Sequence, residues 1–351
     1  LFVLQGFSVI YLKNRVRFLL DTPGAVEKHE PVFIDVIAEN LSLLPIARLK
    51  VFVLLENQLT GRSDEKEIVF TLNSKTTEKI PIEVDSNYCG KITVHLKQMA
   101  VFDWFGFYSK HQSLDETGSF YVLPNQFPVK LHAAHQVVDT TDNPFLPYAK
   151  KGDTDQEIID IREYIPGDHV RHVHWKLTGK YDELIIKEIS DASHPTYLIL
   201  FETSLFESGT VESPEVRDAA VEALFSISEA LLKNGDPHMI GWLNQENGEL
   251  QFADIYKPED LGTSLQVLLA IKKEHRSEST IGAFVETKRV VSFSHVIYVT
   301  TEQSVGFLDR LAIPANMSIL NCKENDIITS RQREVVFTPE NVEAELRQLS
   351  I

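Results

Sequence analysis

The spacing of apolar residues changes near position 196, and this change constrains the fold more than any other feature of the sequence. Before it, short runs of strand-favouring residues alternate with polar positions, as from Val32 to Ala38. Similar runs follow at 51–55, 68–72 and 92–96. Alternation with a period of two indicates strands that bury one face. Residues 1–125 are therefore predicted to form a β-sandwich of immunoglobulin-like type.

Strands and helices alternate after residue 196. Tyr197–Phe201 is continuously apolar, as expected for a parallel strand that is buried on both faces. Ser213-Pro214-Glu215 then supplies a helix N-cap, a first-turn proline and a first-turn acid. Further strands are predicted at 238–243, 295–300 and 317–320, and further helices at 261–271 and from 338 onward. This alternation implies an open parallel sheet with helices on both faces, so residues 196–351 are predicted to form an α/β domain.

The segment from Asp160 to Lys187 lies between these regions, in a predicted bridge over 126–195 with short strands expected at 158–165, 170–175 and 184–187. It concentrates polar and aromatic residues, namely Arg162, Tyr164, Asp168, Arg171, His172, His174, Trp175 and Lys176. Buried polar groups require partners, so core strands seldom have this composition. The segment therefore indicates a built site or a structural network.

Three interpretations of this segment are open. His172 and His174 lie two apart, on one face of a strand, and could ligate a metal together with Asp168. Alternatively, Asp168 or His174 would act as a general base while Lys176 or Arg171 holds an anion. The third interpretation, which we favour, is a network of polar residues that satisfy one another and orient the domains.

The acidic composition excludes some classes of function. The 351-residue chain has a formal net charge of -17 and lacks the clustered Lys and Arg of a nucleic-acid-binding face. Cys89 and Cys322 are too few for a disulfide framework or a cysteine-based zinc site. The sequence contains no GxxxxGK[ST] loop, GxGxxG turn or HExxH helix. We therefore expect neither a nucleic-acid partner nor a cofactor.

The first twelve residues, LFVLQGFSVIYL, are largely apolar and precede Lys13, Arg15 and Arg17. A transmembrane helix requires about twenty residues, so this stretch alone cannot cross a bilayer. One interpretation is a first β-strand of the sandwich. The other is that residues upstream of Leu1, in a longer protein, complete a membrane anchor with the basic cluster on its cytoplasmic side.

With these regions assigned, the chain resembles the domain-of-unknown-function 58 family. The family signature is similar to R-x-Y-x-x-G-D-x-x-R-x-I-H-W-K, followed by a basic residue and L-x-V-K. The matching positions are Arg162, Tyr164, Gly167, Asp168, Arg171, His174, Trp175, Lys176 and Lys187. Val173 replaces the usual isoleucine and Lys180 the usual arginine. Asn40–Pro45 and the Asp103–Gly106 turn also resemble features of that family's sandwich, and we expect the aromatic residues of this turn to pack against the protein.

The resemblance implies an architecture and a setting. It implies two N-terminal transmembrane helices, absent from this chain, then the sandwich, the signature segment and a von Willebrand factor A-like, Rossmann-type α/β domain. It also implies soluble domains that face the cytoplasm and a MoxR-type AAA+ ATPase as the protein partner. We therefore expect a non-enzymatic, membrane-tethered adaptor in a chaperone-like or complex-assembly system. The alternative is a hydrolase or transferase with its site in the Arg162–Lys176 groove.

The end of the first α/β strand is a second candidate site, because ligands of open sheets bind there. A metal-ion-dependent adhesion site, as the resemblance implies, requires the pattern D-x-S-x-S. Here Glu202 replaces the aspartate, Ser204 matches the first serine and Phe206 replaces the second. The phenylalanine removes an oxygen ligand and the glutamate is one methylene longer, whereas Mg²⁺ requires near-ideal octahedral geometry. We predict a degraded site that holds no metal.

Overall fold

The computed structural model describes most of the chain outside the signature segment. The described residues are 9–132, 158–163, 185–189, 197–205, 212–244, 247–272, 274–275, 279–287, 293–302, 316–325 and 333–350.

Residues 16–122 form a β-sandwich, as predicted. Strands β1 to β8 span Val16–Asp21, Ala25–Val26, Val32–Asn40, Ile46–Asn57, Ser63–Leu72, Thr77–Val84, Gly90–Phe102 and Ser109–Val122. One sheet has the order β1-β3-β6 and the other the order β2-β8-β7-β4-β5. Alternate residues of both sheets, such as Ile34 and Val51, meet in one buried core. The period-two pattern of the sequence thus corresponds to the buried faces of these strands.

Residues 9–13 form a helical turn, so a strand interpretation of the first twelve residues is wrong for this part. Val9 and Leu12 lie three positions apart and therefore on one face of the turn. Both are buried in the sandwich core, at 0% and 2% exposure. The turn thus covers the end of the sandwich at which β1 begins.

The described part of the predicted bridge contains three short strands: β9 (Lys130–His132), β10 (Ile158–Glu163) and β11 (Ile185–Ile189). The two strands expected at the edges of the signature segment are confirmed, because β10 and β11 pair in antiparallel fashion. A third strand expected at 170–175 lies outside the described residues. β9 pairs in parallel with β20 (Gln348–Ser350), the last strand of the chain.

The α/β unit is built on a six-stranded sheet. Strands β12 to β19 of this unit span Tyr197–Phe201, Ser204–Leu205, His238–Leu243, Leu250–Ile255, Glu274–His275, His295–Thr300, Met317–Cys322 and Glu334–Phe337. The sheet order is β15-β14-β12-β17-β18-β19, and each pair is parallel except β14–β15. The short strands β13 and β16 form a separate parallel pair. The predicted parallel α/β sheet is confirmed, with one antiparallel strand at its edge.

Helices cover both faces of this sheet. They are α1 (Pro214–Asn234), α2 (Pro258–Leu268), α3 (Thr280–Glu286) and α4 (Val342–Leu346). Buried residues of α1, α2 and α4 share a core with one face of β12, whereas those of α3 pack against the other face. α1 has the predicted N-cap, Ser213, and ends at Gly235, which has a left-handed φ of 82°. Local signals therefore located this helix correctly.

Two helix predictions differ from the structure. α2 begins at Pro258, before the predicted Leu261, and the Asp260 carboxylate accepts a hydrogen bond from the Lys257 amide at its start. The closing helix is only five residues long, and Leu349 lies in β20 instead of extending it. Leu349 pairs with Leu131 of β9 across a long sequence separation. This tertiary pairing overrides the local helical pattern.

Candidate functional site at the carboxyl ends of the parallel strands

Glu202 follows β12 directly, where the carboxyl ends of the parallel strands meet. Its side chain is buried, with 1% of the residue exposed. Its two carboxylate oxygens accept hydrogen bonds from the Ser204 amide at 2.9 Å, the Thr280 amide at 3.0 Å and the Thr280 hydroxyl at 3.1 Å. The Tyr298 hydroxyl donates a fourth bond at 2.6 Å. One carboxylate therefore joins β12, β13, α3 and β17.

The ionisation of this cluster follows from burial. Burial, the charge of Glu202 and the hydrogen bond to it together raise the pKa of Tyr298 well above its ordinary value. The phenol therefore remains protonated and donates its hydrogen to the carboxylate. Four donors compensate the buried negative charge of Glu202, which would otherwise be costly. The cluster has the character of a structural anchor.

These residues do not fit a Mg²⁺ site. Mg²⁺ binds lone pairs of oxygen atoms in a compact octahedron. Around Glu202, backbone and hydroxyl hydrogens already occupy acceptor positions of both carboxylate oxygens. Among the described residues, no three or more His, Cys, Asp or Glu side chains are grouped as metal ligands would be. Phe206 lies outside the described residues, so the degraded site stays a prediction, one that the donors around Glu202 favour.

Arg217 is a residue of this cluster that the sequence pattern did not reveal. It lies in the first turn of α1 with 1% exposure, and its guanidinium stands 4.7 Å from the centre of the Phe201 ring. Nη1 donates to the backbone carbonyl of Glu202 at 3.1 Å, whereas no acceptor within the described part of the chain bonds to Nε or Nη2. Burial lowers the pKa of Arg217, but guanidinium stays charged at neutral pH. In the sequence, Arg217 looks like an ordinary polar position beside Val216.

A second buried charge cluster joins the sandwich to α1. Lys28 pairs with both Asp218 and Glu222, and these three side chains are at most 9% exposed. The Cys89 amide donates to Asp218 at 2.6 Å, and the Asn125 amide donates to Glu222 at 3.2 Å. Helix α1 is consequently buried at every residue from 216 to 228, not only on its apolar stripe. The two units meet across a specific, charged interface.

Burial has opposite effects on the pKa values of this cluster. It raises the pKa of Glu222, against the lowering effect of the bond to Lys28. Burial also favours a lower pKa for Lys28, but the charges and hydrogen bonds of Asp218 and Glu222 outweigh it and raise that pKa. The lysine therefore stays charged and compensates the acidic side chains of α1.

A serine and a histidine lie within hydrogen-bond distance in the core, but their burial opposes a catalytic role. The Ser228 hydroxyl is 2.6 Å from Nε2 of His238, and Nδ1 of the ring is 3.2 Å from the Asp236 carbonyl. The carbonyl requires the hydrogen on Nδ1, so Nε2 accepts from the serine. Both residues are 0% exposed, so a substrate has no access to them. We assign the pair to the α1–β14 packing.

The signature segment is described only at its two strands. Arg162 of β10 lies opposite Ile186 in the strand register, and Lys187 of β11 lies opposite Ile161, so the two signature positions are adjacent on paired strands. The remaining residues lie outside the described part of the chain: Tyr164, Gly167, Asp168, Arg171, His172, His174, Trp175 and Lys176. The network, metal and catalytic interpretations of this segment stay open.

The Asp103–Gly106 turn differs from its prediction. We expected its aromatic residues to pack against the protein, but Trp104 and Phe105 are exposed at 61% and 64%. Phe107, directly after the turn, is 70% exposed. Asp103 itself is buried and holds the turn from inside. The expected packing of the aromatic residues is therefore wrong, because the buried Asp103 carboxylate holds the turn and the rings face the solvent.

The comparisons with known proteins give a family match and weak matches to solved structures. The first is a family described as "Protein of unknown function DUF58". Residues 160–260 match its model. This supports the resemblance to that family inferred from the signature residues. A search of curated proteins finds no match.

Solved structures show only weak likeness to the chain. The CARDB domain of the PF1109 protein from Pyrococcus furiosus, in complex with di-metal ions, is 16% identical with a TM-score of 0.23, over 31% of this chain and 87% of that one. The alkylpurine DNA glycosylase AlkC from Pseudomonas fluorescens is 17% identical with a TM-score of 0.22, over 31% of this chain and 30% of that one. A β-glucosidase from Listeria innocua is 16% identical with a TM-score of 0.19, over 31% and 17% of the two chains. These scores carry no argument about function.

None of the helices in the described ranges combines the length and the apolar character needed to traverse a bilayer.

Proposed function

We propose that the chain is a non-enzymatic adaptor that binds another protein, with a MoxR-type AAA+ ATPase as its partner and a membrane tether that holds its domains at the cytoplasmic face. In this proposal the α/β unit is von Willebrand factor A-like. The sheet order β15-β14-β12-β17-β18-β19, with one antiparallel edge strand, supports that classification.

The single observation that carries the proposal is that the Glu202 carboxylate is hydrogen-bonded to groups of the protein itself. In an open α/β sheet, the carboxyl ends of the strands are the usual place for ligand chemistry. Here the carboxylate at that position is bonded to donors of Ser204, Thr280 and Tyr298. Because these polar groups are bonded to one another, this end of the sheet fits a scaffold protein better than a catalytic site.

The interface between the units supports the same function. Hydrogen bonds and buried ion pairs connect the sandwich to α1, including Lys28 with Glu222 and the Phe127 amide with the Ser226 hydroxyl at 3.1 Å. A partner that engages one unit would therefore also act on the other. In this proposal the α/β unit presents the binding surface. Arg162, Asp168, Arg171 and His174 of the signature segment belong to the polar network that orients it against the sandwich.

The test uses purified components. The chain is immobilised, and the purified MoxR-type ATPase of the same organism is supplied with and without ATP while binding is measured by interferometry. We expect binding by the unmodified chain and by Lys233→Ala, which alters an exposed position at the end of α1. The double variant Arg171→Ala/His174→Ala should melt at a lower temperature, because the polar groups that remain lose their partners, and it should bind more weakly. Absence of binding by the folded, unmodified chain would overturn the proposal.

Two other outcomes would redirect the interpretation. Loss of binding by a double variant that melts as the unmodified chain does would make the two residues part of the binding surface. Hydrolysis of a model ester or phosphate substrate that disappears in His174→Ala, without loss of stability, would favour the hydrolase alternative.

A further inference from the structure

Two loops meet at the same end of the sandwich. The loop at 41–45 precedes β4, and the loop at 103–108 follows β7. In the register of these two strands, Leu49 lies opposite Val101. The guanidinium of Arg48 accordingly stands 4.8 Å from the centre of the Phe102 ring. The two loops therefore extend from the same end of the sandwich.

The second of these loops exposes aromatic side chains from a fixed backbone. Trp104, Phe105, Phe107 and Tyr108 are 61%, 64%, 70% and 46% exposed. The Asp103 carboxylate accepts from the Tyr108 amide at 2.9 Å, and the Asp103 amide donates to the Tyr108 carbonyl at 3.0 Å. The exposed rings thus project from a closed turn.

The first loop has the same arrangement with aliphatic residues. Ser42 of this loop and Asn40, the last residue of β3, are both 0% exposed. Asn40 bonds the Leu44 carbonyl at 3.0 Å and the Ser42 amide at 2.9 Å. Leu43 and Leu44 instead point outward, at 69% and 45% exposure. In both loops, buried polar side chains hold the backbone by hydrogen bonds, and the apolar side chains face the solvent.

Basic residues surround these apolar loops. Arg15 lies beside the first loop, because its carbonyl accepts from the Leu41 amide at 2.8 Å. Arg48 flanks the base of both loops, Lys75 donates its amide to the Ser42 carbonyl, and Lys110 lies opposite Val101. All four of these side chains are exposed. This is a local basic ring on a chain whose formal net charge is -17.

We propose that this end of the sandwich, the 41–45 and 103–108 loops with their basic ring, contacts an anionic lipid bilayer and inserts its apolar side chains at the headgroup level. Trp, Tyr and Phe combined with Lys and Arg are the residues that favour the membrane interface. This membrane contact extends the proposed membrane tether, and it rests on that tether only for the orientation of the sandwich at the bilayer. It does not depend on the ATPase partner.

The start of the chain lies at the same end. Residues 9–13 cover this edge of the sandwich, and Tyr11 is 41% exposed with Arg15 stacked 5.6 Å from its ring centre. The eight residues before this turn, LFVLQGFS, are largely apolar and join the fold here. The first described residues therefore lie at the end of the sandwich from which the two loops project. The four exposed basic side chains complement an anionic surface and the exposed aromatic rings suit the headgroup region, which argues for a lipid surface as the occupant.

Vesicle sedimentation tests the proposal with the whole chain. The probes are vesicles of phosphatidylcholine alone and of phosphatidylcholine mixed with phosphatidylglycerol. We expect the chain to sediment with the anionic vesicles and to bind the neutral ones more weakly. The variant Trp104→Ser/Phe105→Ser/Phe107→Ser should lose at least about tenfold in partitioning, because three exposed apolar side chains no longer enter the interface. Its melting temperature should be unchanged, since these side chains are exposed.

A matched control separates this surface from general stickiness. Phe33 is 57% exposed on β3, near the end of that strand remote from Asn40, so Phe33→Ser should bind vesicles as the unmodified chain does. Brominated lipid should quench the emission of the unmodified chain, and this quenching should be reduced in Trp104→Phe, which keeps an aromatic ring. Equal sedimentation of the triple variant and the unmodified chain would overturn the proposal. A second result would also overturn the proposal: the unmodified chain forms a dimer and binds no vesicles, and the triple variant is a monomer. The exposed loops would then be an interface between two copies of the chain.

Discussion

The Tyr298 hydroxyl donates a hydrogen bond of 2.6 Å to Oε2 of Glu202, and both side chains are closed to solvent. This bond connects the end of β12 to β17, the next strand of the sheet. Because Glu202 also accepts from Thr280 of α3, the carboxylate fixes three elements at the edge where α/β proteins bind ligands. The position is thus occupied by the protein's own donors.

Substitution of either partner should cost stability in proportion to the donors left without an acceptor. Tyr298→Phe removes one bond to a charged group, so we expect a loss of about 1.5–3 kcal/mol in the free energy of unfolding. Glu202→Gln places an amide NH₂ against donors, and we expect a similar or larger loss. Urea denaturation measures both, with Glu27→Gln at an exposed position as the control. Unchanged unfolding of Glu202→Gln would contradict a structural role for the carboxylate.

Magnesium should not stabilise the unmodified chain. A ligand that binds only the folded state raises the melting temperature by mass action. Since acceptor positions of Glu202 are already hydrogen-bonded, we expect the same melting temperature with MgCl₂ and with NaCl of matched ionic strength. The comparison variant is Glu202→Asp/Phe206→Ser, which restores the D-x-S-x-S pattern. A magnesium-dependent rise in the unmodified chain would show that a metal site persists.

Removal of the interface lysine should be strongly destabilising. Lys28→Met leaves Asp218 and Glu222 buried without their cation, and such a loss costs about 3–5 kcal/mol. The matched control is Lys79→Met, because Lys79 pairs with Asp21 at 3.8 Å on an exposed surface where ion pairs contribute about 0–1 kcal/mol. Chemical denaturation followed by tryptophan emission provides both values. Equal effects of the two variants would contradict the buried charge cluster.

Acid should weaken the folded state through His238. Burial lowers its pKa to about 4, against an ordinary value near 6.5. The unfolded chain therefore binds a proton that the folded chain does not, and stability falls as the pH drops from about 6.5 towards about 4. The full effect for this residue is about 3 kcal/mol. His295, whose pKa burial also lowers to about 4, acts in the same direction.

The histidine variants provide the check. His238→Gln should be less stable than the unmodified chain near neutral pH, but its stability should depend less on pH. His111→Gln changes an exposed side chain and should retain the original pH dependence. Thermal melts at several pH values distinguish these cases. An unaltered slope in His238→Gln would show that another group causes the acid sensitivity.

The sequence predicted elements whose signals are local and missed relationships that depend on distant residues. Helix α1 was placed correctly because Ser213, Pro214 and Gly235 mark its ends. The burial of Asp218 was missed because its partner, Lys28, lies 190 residues away. An acidic residue within a helical pattern ordinarily indicates the solvent face. Here the sandwich covers that face.

The candidate site shows the same limit. The position of Glu202 at the end of β12 follows from strand periodicity, but its donors Thr280 and Tyr298 are 78 and 96 residues distant. Trp104 illustrates the opposite error, because an aromatic residue was expected to pack and is exposed. Residue type predicts burial only on average. The exposure of a loop depends on which strands it connects.

The pairing of β9 with β20 determines how the molecule would respond to a break in its chain. Residues 130–132 are held by the last strand, and residues 197–201 lie in the centre of the sheet. Both ends of the stretch that contains the signature segment are therefore anchored in the same folded body. A single proteolytic cut in that stretch would yield two fragments that remain associated without a covalent link. The gene could accordingly be divided there and the protein reassembled from its two halves.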